Sequence, residues 1–440
     1  MKKNNKDIII IGFALFAMFF GAGNLIFPPF LGHAIGSRFA IGIIGFICTG
    51  VGLPLLAILS TTKGDGTFET MASKIGHKFA VVFATLLFIA IGPMLAIPRT
   101  AATTYELTIN PILPNINAVT WMVIYFAINL IFVLKESSII DTIGKYLTPA
   151  LLIILSVIIL KGIFFPIGEI ISTDASSVLA TSLTEGYQTM DALAGLLFAS
   201  MITSSLIAKG YKDKDILSMT LKSGFVAIAG LAFIYGGLMF LGAQTTTTFT
   251  GEATKTGILL FISKSVLGNS GIIIIGVAMG LACLTTSIGL LSAGSSYFDK
   301  LSKGKLPYKF NAVVISVISI IIGSLGVDKI VSISAPILNI LYPVAITLIF
   351  TTLFDKYLKN IKAIRLGIYT SLIFGILGVI PNIDLSFIPL ATSGFPWLLP
   401  TIVAILIGYL IFPQKISLME YFRIIQNIIY DKSKKIFKSN

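Results

Sequence analysis

The chain has 440 residues, 55% of them hydrophobic and only 12% charged, against ~25% charged in a soluble domain; it reads as an integral membrane protein. Its 32 Lys and Arg against 19 Asp and Glu leave a net charge of +13, but the positives sit in short connections between apolar runs, where they report topology rather than nucleic-acid binding. The two cysteines, Cys48 and Cys283, lie inside apolar runs, which excludes a disulfide framework and a thiolate metal site, and the two histidines, His33 and His77, stand alone near loops.

The chain opens Met1-Lys2-Lys3 ahead of an apolar run, in the manner of a signal peptide. The run is too long for one, and no small-residue cleavage motif follows Pro28-Pro29, so it reads as an uncleaved first span over 8–31. Inside it stands Met18-Phe19-Phe20-Gly21-Ala22-Gly23-Asn24-Leu25-Ile26-Phe27-Pro28-Pro29. A helix crossing lipid has to satisfy its own backbone. Glycines, an asparagine and paired prolines at mid-depth therefore predict an opening at Gly21–Asn24, with glycines in positive-φ backbone. Two half-helix ends, N–H groups from one and carbonyls from the other, then face one point and suit an anionic group beside a cation. An amino-acid zwitterion with a coupling ion has that charge pattern. Close helix packing through small residues is the alternative for the glycines. It accounts less well for Asn24 and Pro28-Pro29.

Eleven further spans follow at about 39–60, 79–105, 118–134, 143–165, 186–208, 220–243, 271–297, 310–326, 331–353, 364–381 and 395–412, most near the ~20 residues that cross a bilayer. With the N-terminus inside, the cytoplasmic connections hold 26 of the 32 basic residues and the external ones 5, with Arg99 inside the third span. One missed span would invert every later loop, so this split sets both termini in the cytoplasm. The tail over 413–440 is basic and partly amphipathic (Ile416, Phe422, Ile425, Ile428, Ile429). It is expected at the membrane surface or as a packed cytoplasmic helix. No connection is long enough for a soluble domain, and 1–440 reads as a single membrane domain.

Two groups inside the spans carry chemistry. In the third span Arg99 precedes Glu106 by seven residues, about two turns and so the same helix face; Asp191 sits near the outer end of the sixth. Charges at such depth pair or line a cavity, so Arg99 is expected to gate the outer side against Asp191 or Glu106, or else to snorkel to the interface. The eighth span carries Ala282-Cys283-Leu284-Thr285-Thr286-Ser287-Ile288-Gly289. Its hydroxyls offer the hard oxygens a small alkali cation takes, or they bond back to their own helix.

Three stretches resemble a known family. Phe20-Gly21-Ala22-Gly23-Asn24-Leu25-Ile26-Phe27-Pro28-Pro29, Gly92-Pro93-Met94-Leu95-Ala96-Ile97-Pro98-Arg99-Thr100-Ala101 and Gly186-Tyr187-Gln188-Thr189-Met190-Asp191-Ala192-Leu193-Ala194 look like those of the bacterial branched-chain amino acid cation symporters. The resemblance covers nearly the whole chain. It implies an all-α membrane protein of twelve transmembrane helices in the inverted-repeat fold of the sodium-coupled leucine transporters. Repeat one would run over about 8–165, repeat two over about 186–353, and helices eleven and twelve over about 364–412. It also implies a Na⁺ site from the Ala17, Phe20 and Ala282 carbonyls with the Thr285 and Thr286 hydroxyls. Asn24 matches a ligand of a second ion whose other ligands are not visible. The sixth span should break near Leu197-Phe198-Ala199-Ser200.

The substrate is then expected between Phe20, Gly21, Ala22, Gly23 and Asn24 on one side and Phe198, Ala199 and Ser200 on the other, with Pro93, Met94 and Ile97 as an apolar wall. The resemblance makes the chain an importer of leucine, isoleucine and valine with Na⁺ or H⁺ in a bacterial plasma membrane, the alternative being another small amino acid or related solute on the same fold. The lack of an acid around Thr285-Thr286 favours Na⁺, since a proton site needs a titratable group. An intramembrane enzyme would need a nucleophile with its base or a metal set, and no His or Cys adjoins a membrane acid. A channel would need a filter or lining rings, and direct ATP use a phosphate-binding loop that is missing. No cofactor beyond the coupling ion, no nucleic acid and no obligate protein partner are implied.

Overall fold

The structure, a computed structural model, describes residues 5–63, 66–134 and 139–413. The amphipathic tail expected beyond Pro413 lies outside the described residues. Among the described residues the regular elements are all helical, with one isolated antiparallel bridge between Gly36 and Ser172.

The first predicted span is two helices, α1 (Asn5–Phe19) and α2 (Ala22–Ile35), bent by 72° at the join. Next come α3 (Phe39–Lys63) and α4 (His77–Ile112), both interrupted by π-turns. Cys48–Gly52 forms one in α3, and Ala90–Met94 and Tyr105–Ile109 form two in α4. A π-turn inserts one residue and rotates all that follows. In α4 the first is forced by Pro93, which lacks an N–H, and by Gly92, whose ψ of −113° is not helical. Then follow α5 (Ala118–Leu134), α6 (Ile139–Phe164), α7 (Val178–Tyr187), α8 (Asp191–Ala208), α9 (Asp213–Ala243), α10 (Lys255–Leu267), α11 (Asn269–Leu301), α12 (Tyr308–Gly323), α13 (Val327–Leu353), α14 (Ile361–Leu377) and α15 (Leu398–Ile411).

Each of the twelve predicted spans coincides with a helix or helix pair. Six are long and apolar enough to cross a membrane, seven with the bent first pair. Long and shorter helices alike present apolar outward faces: Ile44 of α3, Ile153 of α6, Ile321 of α12 and Leu410 of α15 are 63%, 64%, 65% and 80% exposed. Such faces suit a lipid surround and would be a liability in water.

Packing is set by backbone approach rather than by bulk. The pair α1–α2 lies along α9, and α7–α8 lies along α3. Where α2 crosses α9, a side chain on Gly32 would strike the Met239 carbonyl, and one on Gly242 the Pro29 carbonyl. The two glycines thus serve the close contact that small residues allow in membranes. Pro28 and Pro29 lie inside α2 and do not make its break.

Gly242→Val should therefore split α2 from α9. Overpacking costs about 1–3 kcal/mol, read as a lower melting temperature in detergent. Gly289→Ala, with nothing within 4 Å of the added carbon, should leave it unchanged. Equal effects of both would refute this account of α2–α9 packing.

Candidate functional site

The first break is shorter than the sequence predicts. Phe20 still closes a helical bond to the Phe16 carbonyl, 2.8 Å, and only Phe20–Gly21 separates the helices. Ala22, Gly23 and Asn24 already belong to α2. Gly21 is extended, φ −121°, ψ −164°, so positive φ is not why it is glycine. The reason for the break is local. The Asn24 Oδ1 accepts the Gly21 N–H at 3.1 Å, the reach-back half of a capping box. That N–H would otherwise have bonded the Ala17 carbonyl, so the end of α1 keeps a free acceptor while α2 presents its first N–H groups.

The second break also differs from expectation. It lies at Gln188–Met190, between α7 and α8, with Met190 left-handed at φ 65°. Phe198, Ala199 and Ser200 are inside a continuous helix. No Gly-x-Gly marks the true break. Thr189 makes it locally: its hydroxyl donates to the Gly186 carbonyl at 2.9 Å and accepts the Asp191 N–H at 3.4 Å.

One side-chain network ties the two breaks. Asn24 Nδ2 donates to Asp191 Oδ2 at 2.6 Å and also meets the Tyr235 hydroxyl from α9. Tyr235 lies 3.4 Å from the same carboxylate oxygen. Asn24, Asp191 and Tyr235 are 1%, 5% and 0% exposed. Asp191 begins α8, where a carboxylate complements the helix dipole. Arg99 is 3% exposed; its guanidinium donates to the Gln188 and Thr189 carbonyls at 2.6 and 3.3 Å and stands 5.3 Å over the Phe27 ring.

A cavity of about 30 Å³ lies where these groups meet, lined by residues of α1, α2, α4, α8 and α11 and by the two breaks. That is room for a water or two, and an amino acid would fit only if the lining helices parted. Of the predicted substrate residues Gly21, Ala22, Gly23, Asn24 and Phe198 line it, together with Arg99, Asp191 and Thr286. Phe20 does not; it stacks on Phe16 at 4.9 Å. Pro93, Met94 and Ile97 do not either. From α4 the cavity is lined by Ile91, inside the first π-turn, and by Ala96, Arg99 and Thr100 beyond it. Ala199 is buried away from it, and the Ser200 hydroxyl bonds back to Leu197.

The expected ion ligands separate into two groups. Thr286 turns to the first break: a carbon added to Gly21 would lie 3.5 Å from its Cγ2, and its buried hydroxyl has no partner. Thr285 donates back to the Ala282 carbonyl at 2.9 Å, which engages two of the expected ligands with each other. Neither these nor Ala17 lines the cavity. Glu106 is not the partner of Arg99. Its oxygens accept the Thr256 hydroxyl at 2.7 Å and the Val327 N–H at 2.9 Å, so it holds α10 and the start of α13.

Sequence reading did not assign a site role to Tyr235, Met18, Phe19, Ala194 or Leu290; glycines stand near each of them, but no local pattern says which neighbours of a glycine face a cavity. Thr189 and Met190 were legible only as part of a motif.

The comparisons agree with this architecture. The family model described as branched-chain amino acid transport protein matches residues 4–415. The chain belongs to that family. Branched-chain amino acid permease BraB of Bacillus subtilis (strain 168) is 37% identical over 430 residues, covering 92% of this chain and 95% of BraB. Branched-chain amino acid permease BrnQ of the same strain is 34% identical over 433 residues, covering 93% and 98%. Among solved structures, Mhp1, a nucleobase-cation-symport-1 family transporter, superposes with a TM-score of 0.59 at 14% identity over 92% of this chain and 93% of its own. MhsT in complex with L-phenylalanine gives 0.55 at 17%, over 91% and 98%. The branched-chain amino acid transport family is one of membrane transporters, so the chain is a transporter and not an enzyme. At these identities the structural matches speak to the fold alone: that of the helical transporters.

Asn24→Leu should test the network. It removes the donor to Asp191 and Tyr235 at nearly constant volume and strands a buried carboxylate. The cost is about 2–3 kcal/mol, read as a clear fall in melting temperature that Asn24→Leu/Asp191→Leu partly restores. A stable single variant would contradict the network.

Proposed function

We propose that this chain imports leucine, isoleucine and valine with a coupling cation by alternating access. The observation that carries the reading is the cavity's mixed lining. The free N–H groups that open α2 suit a carboxylate, and Asp191 with the last carbonyls of α1 suits an ammonium. Met18, Ile91, Ala194, Phe198 and Leu290 offer only apolar surface to a side chain. The first groups serve any amino acid; the last select aliphatic ones, since a polar side chain would lose its hydrogen bonds there.

The packing pattern supports a five-plus-five inverted repeat. Exchange α1–α2 with α7–α8, α3 with α9, α4 with α11, α5 with α12 and α6 with α13. The packed pair α3–α13 then becomes α9–α6, α4–α13 becomes α11–α6, and α4–α12 becomes α11–α5; all six pairs are in contact. In this reading the chain crosses a bacterial plasma membrane twelve times with both termini cytoplasmic, as the distribution of basic residues requires. The ties that would break for access on the cytoplasmic side are Asp7 with Lys209 at 3.0 Å and with Tyr211 at 2.8 Å, and Lys63 with Asp355 at 2.5 Å. Lys255 with Asp328 at 3.6 Å would hold the outside.

For the cation we favour Na⁺ over H⁺. The unpartnered Thr286 hydroxyl beside the end of α1 is a hard neutral oxygen with no titratable group of its own, and the Ala17 carbonyl has lost its helical donor. Thr286→Ala should raise the Na⁺ concentration for half-maximal leucine uptake about tenfold or more, as loss of a bond to a charged group would. Unchanged Na⁺ dependence in both Thr286→Ala and Thr285→Ala would remove Na⁺ from this site. Gly23→Ala would put a carbon 2.7 Å from Arg99 Nη2, whereas Gly21→Ala makes an ordinary 3.5 Å contact. Leucine binding to purified protein should be lost in the first and largely kept in the second; the reverse order would refute this placement.

A further inference from the structure

Arg99 is buried at the substrate cavity, yet its donors go to backbone carbonyls rather than to a carboxylate. Those carbonyls belong to the second break. The first backbone bond of α8 runs from the Ala194 N–H to Met190, so Gln188 and Thr189, upstream of it, are left to the guanidinium. Exposed carbonyls at a broken helix are what a small mobile cation takes in such folds. Here a cation covalently held by α4 is already on them, forked across two carbonyls as a planar guanidinium can be.

Two further observations agree. Asn24, the polar side chain at the first break, has its oxygen taken by the Gly21 N–H and its nitrogen by Asp191 and Tyr235, so it holds no oxygen free for a mobile cation. Gly23 is the residue that lets Arg99 in, since any side chain there would meet Nη2.

We propose that Arg99 is a permanent, tethered cation in the place of a second coupling ion, so that each cycle moves one net positive charge with the amino acid. This rests on the transport reading above but not on whether Na⁺ or H⁺ couples. The test is the reversal potential of leucine flux in proteoliposomes of the full chain under imposed cation and leucine gradients. One charge per leucine, with a Hill coefficient of one for the coupling cation, is the expected result; two charges per leucine would overturn the proposal. Arg99→Ala should lower initial uptake more than tenfold. Arg99→Lys, which keeps the charge but not the fork, should recover part of it at an unchanged ratio of one. Wild-type uptake by Arg99→Ala at a ratio of one would also overturn it. Absence of any leucine uptake by the wild-type chain would remove the transport reading, and this proposal with it.

Discussion

The hydrogen bond from Asn24 to Asp191 is the contact on which the site depends. It joins the start of α2 to the start of α8, the two places where a membrane helix gives up its own backbone bonding. Each break alone would expose N–H and carbonyl groups that lipid cannot satisfy. Brought together, they satisfy one another through three side chains: Asn24 serves Gly21 and Asp191, Tyr235 flanks the same carboxylate, and Arg99 covers the carbonyls of Gln188 and Thr189. A buried polar network of this kind is stable only when each member is served. On the proposed reading, a zwitterion that offers the same groups would replace part of it.

Room for the network comes from missing side chains elsewhere. Gly32 and Gly242 let α2 lie against α9, which carries Tyr235 to Asn24. Gly23 then leaves the space that the guanidinium fills. Specificity and charge chemistry are thus supplied by different elements. The apolar surface comes from α1, α4, α8 and α11, while the charges come from the breaks and from α4. The cavity they share is too small for an amino acid as it stands. On the proposed alternating-access reading, the ion pairs at Asp7, Lys63 and Lys255 are the contacts released when it opens.

Much of this was legible in the residues. Long apolar runs located the helices, and Gly21-Ala22-Gly23-Asn24 located the first break to within three residues. Buried Arg99 and Asp191 announced a polar site in lipid. What was not legible depended on single-residue geometry. With the π-turn at Ala90–Met94, Pro93, Met94 and Ile97 are off the wall and Ala96 and Thr100 are on it, a rotation that a regular 3.6-residue period does not foresee. The second break was expected near Leu197-Phe198-Ala199-Ser200 from the resemblance alone, without a Gly-x-Gly to place it; it is made instead by the Thr189 hydroxyl and a left-handed Met190. Glu106 shares a helix with Arg99, but Thr256 and Val327, distant in sequence, claim it. Tyr235 and Leu290 stand beside Gly236-Gly237 and Gly289, but which face of their helices meets the cavity depends on packing between elements far apart in sequence.

The central claim is that the two breaks form one amino-acid site. The most direct measurement is an experimental structure of the chain with leucine bound. The account predicts density between Gly21 and Asp191, with the aliphatic group against Phe198 and Leu290 and the Asn24 to Asp191 contact rearranged around the ammonium. Leucine seated elsewhere, with the Asn24, Asp191 and Tyr235 network unchanged, would contradict it.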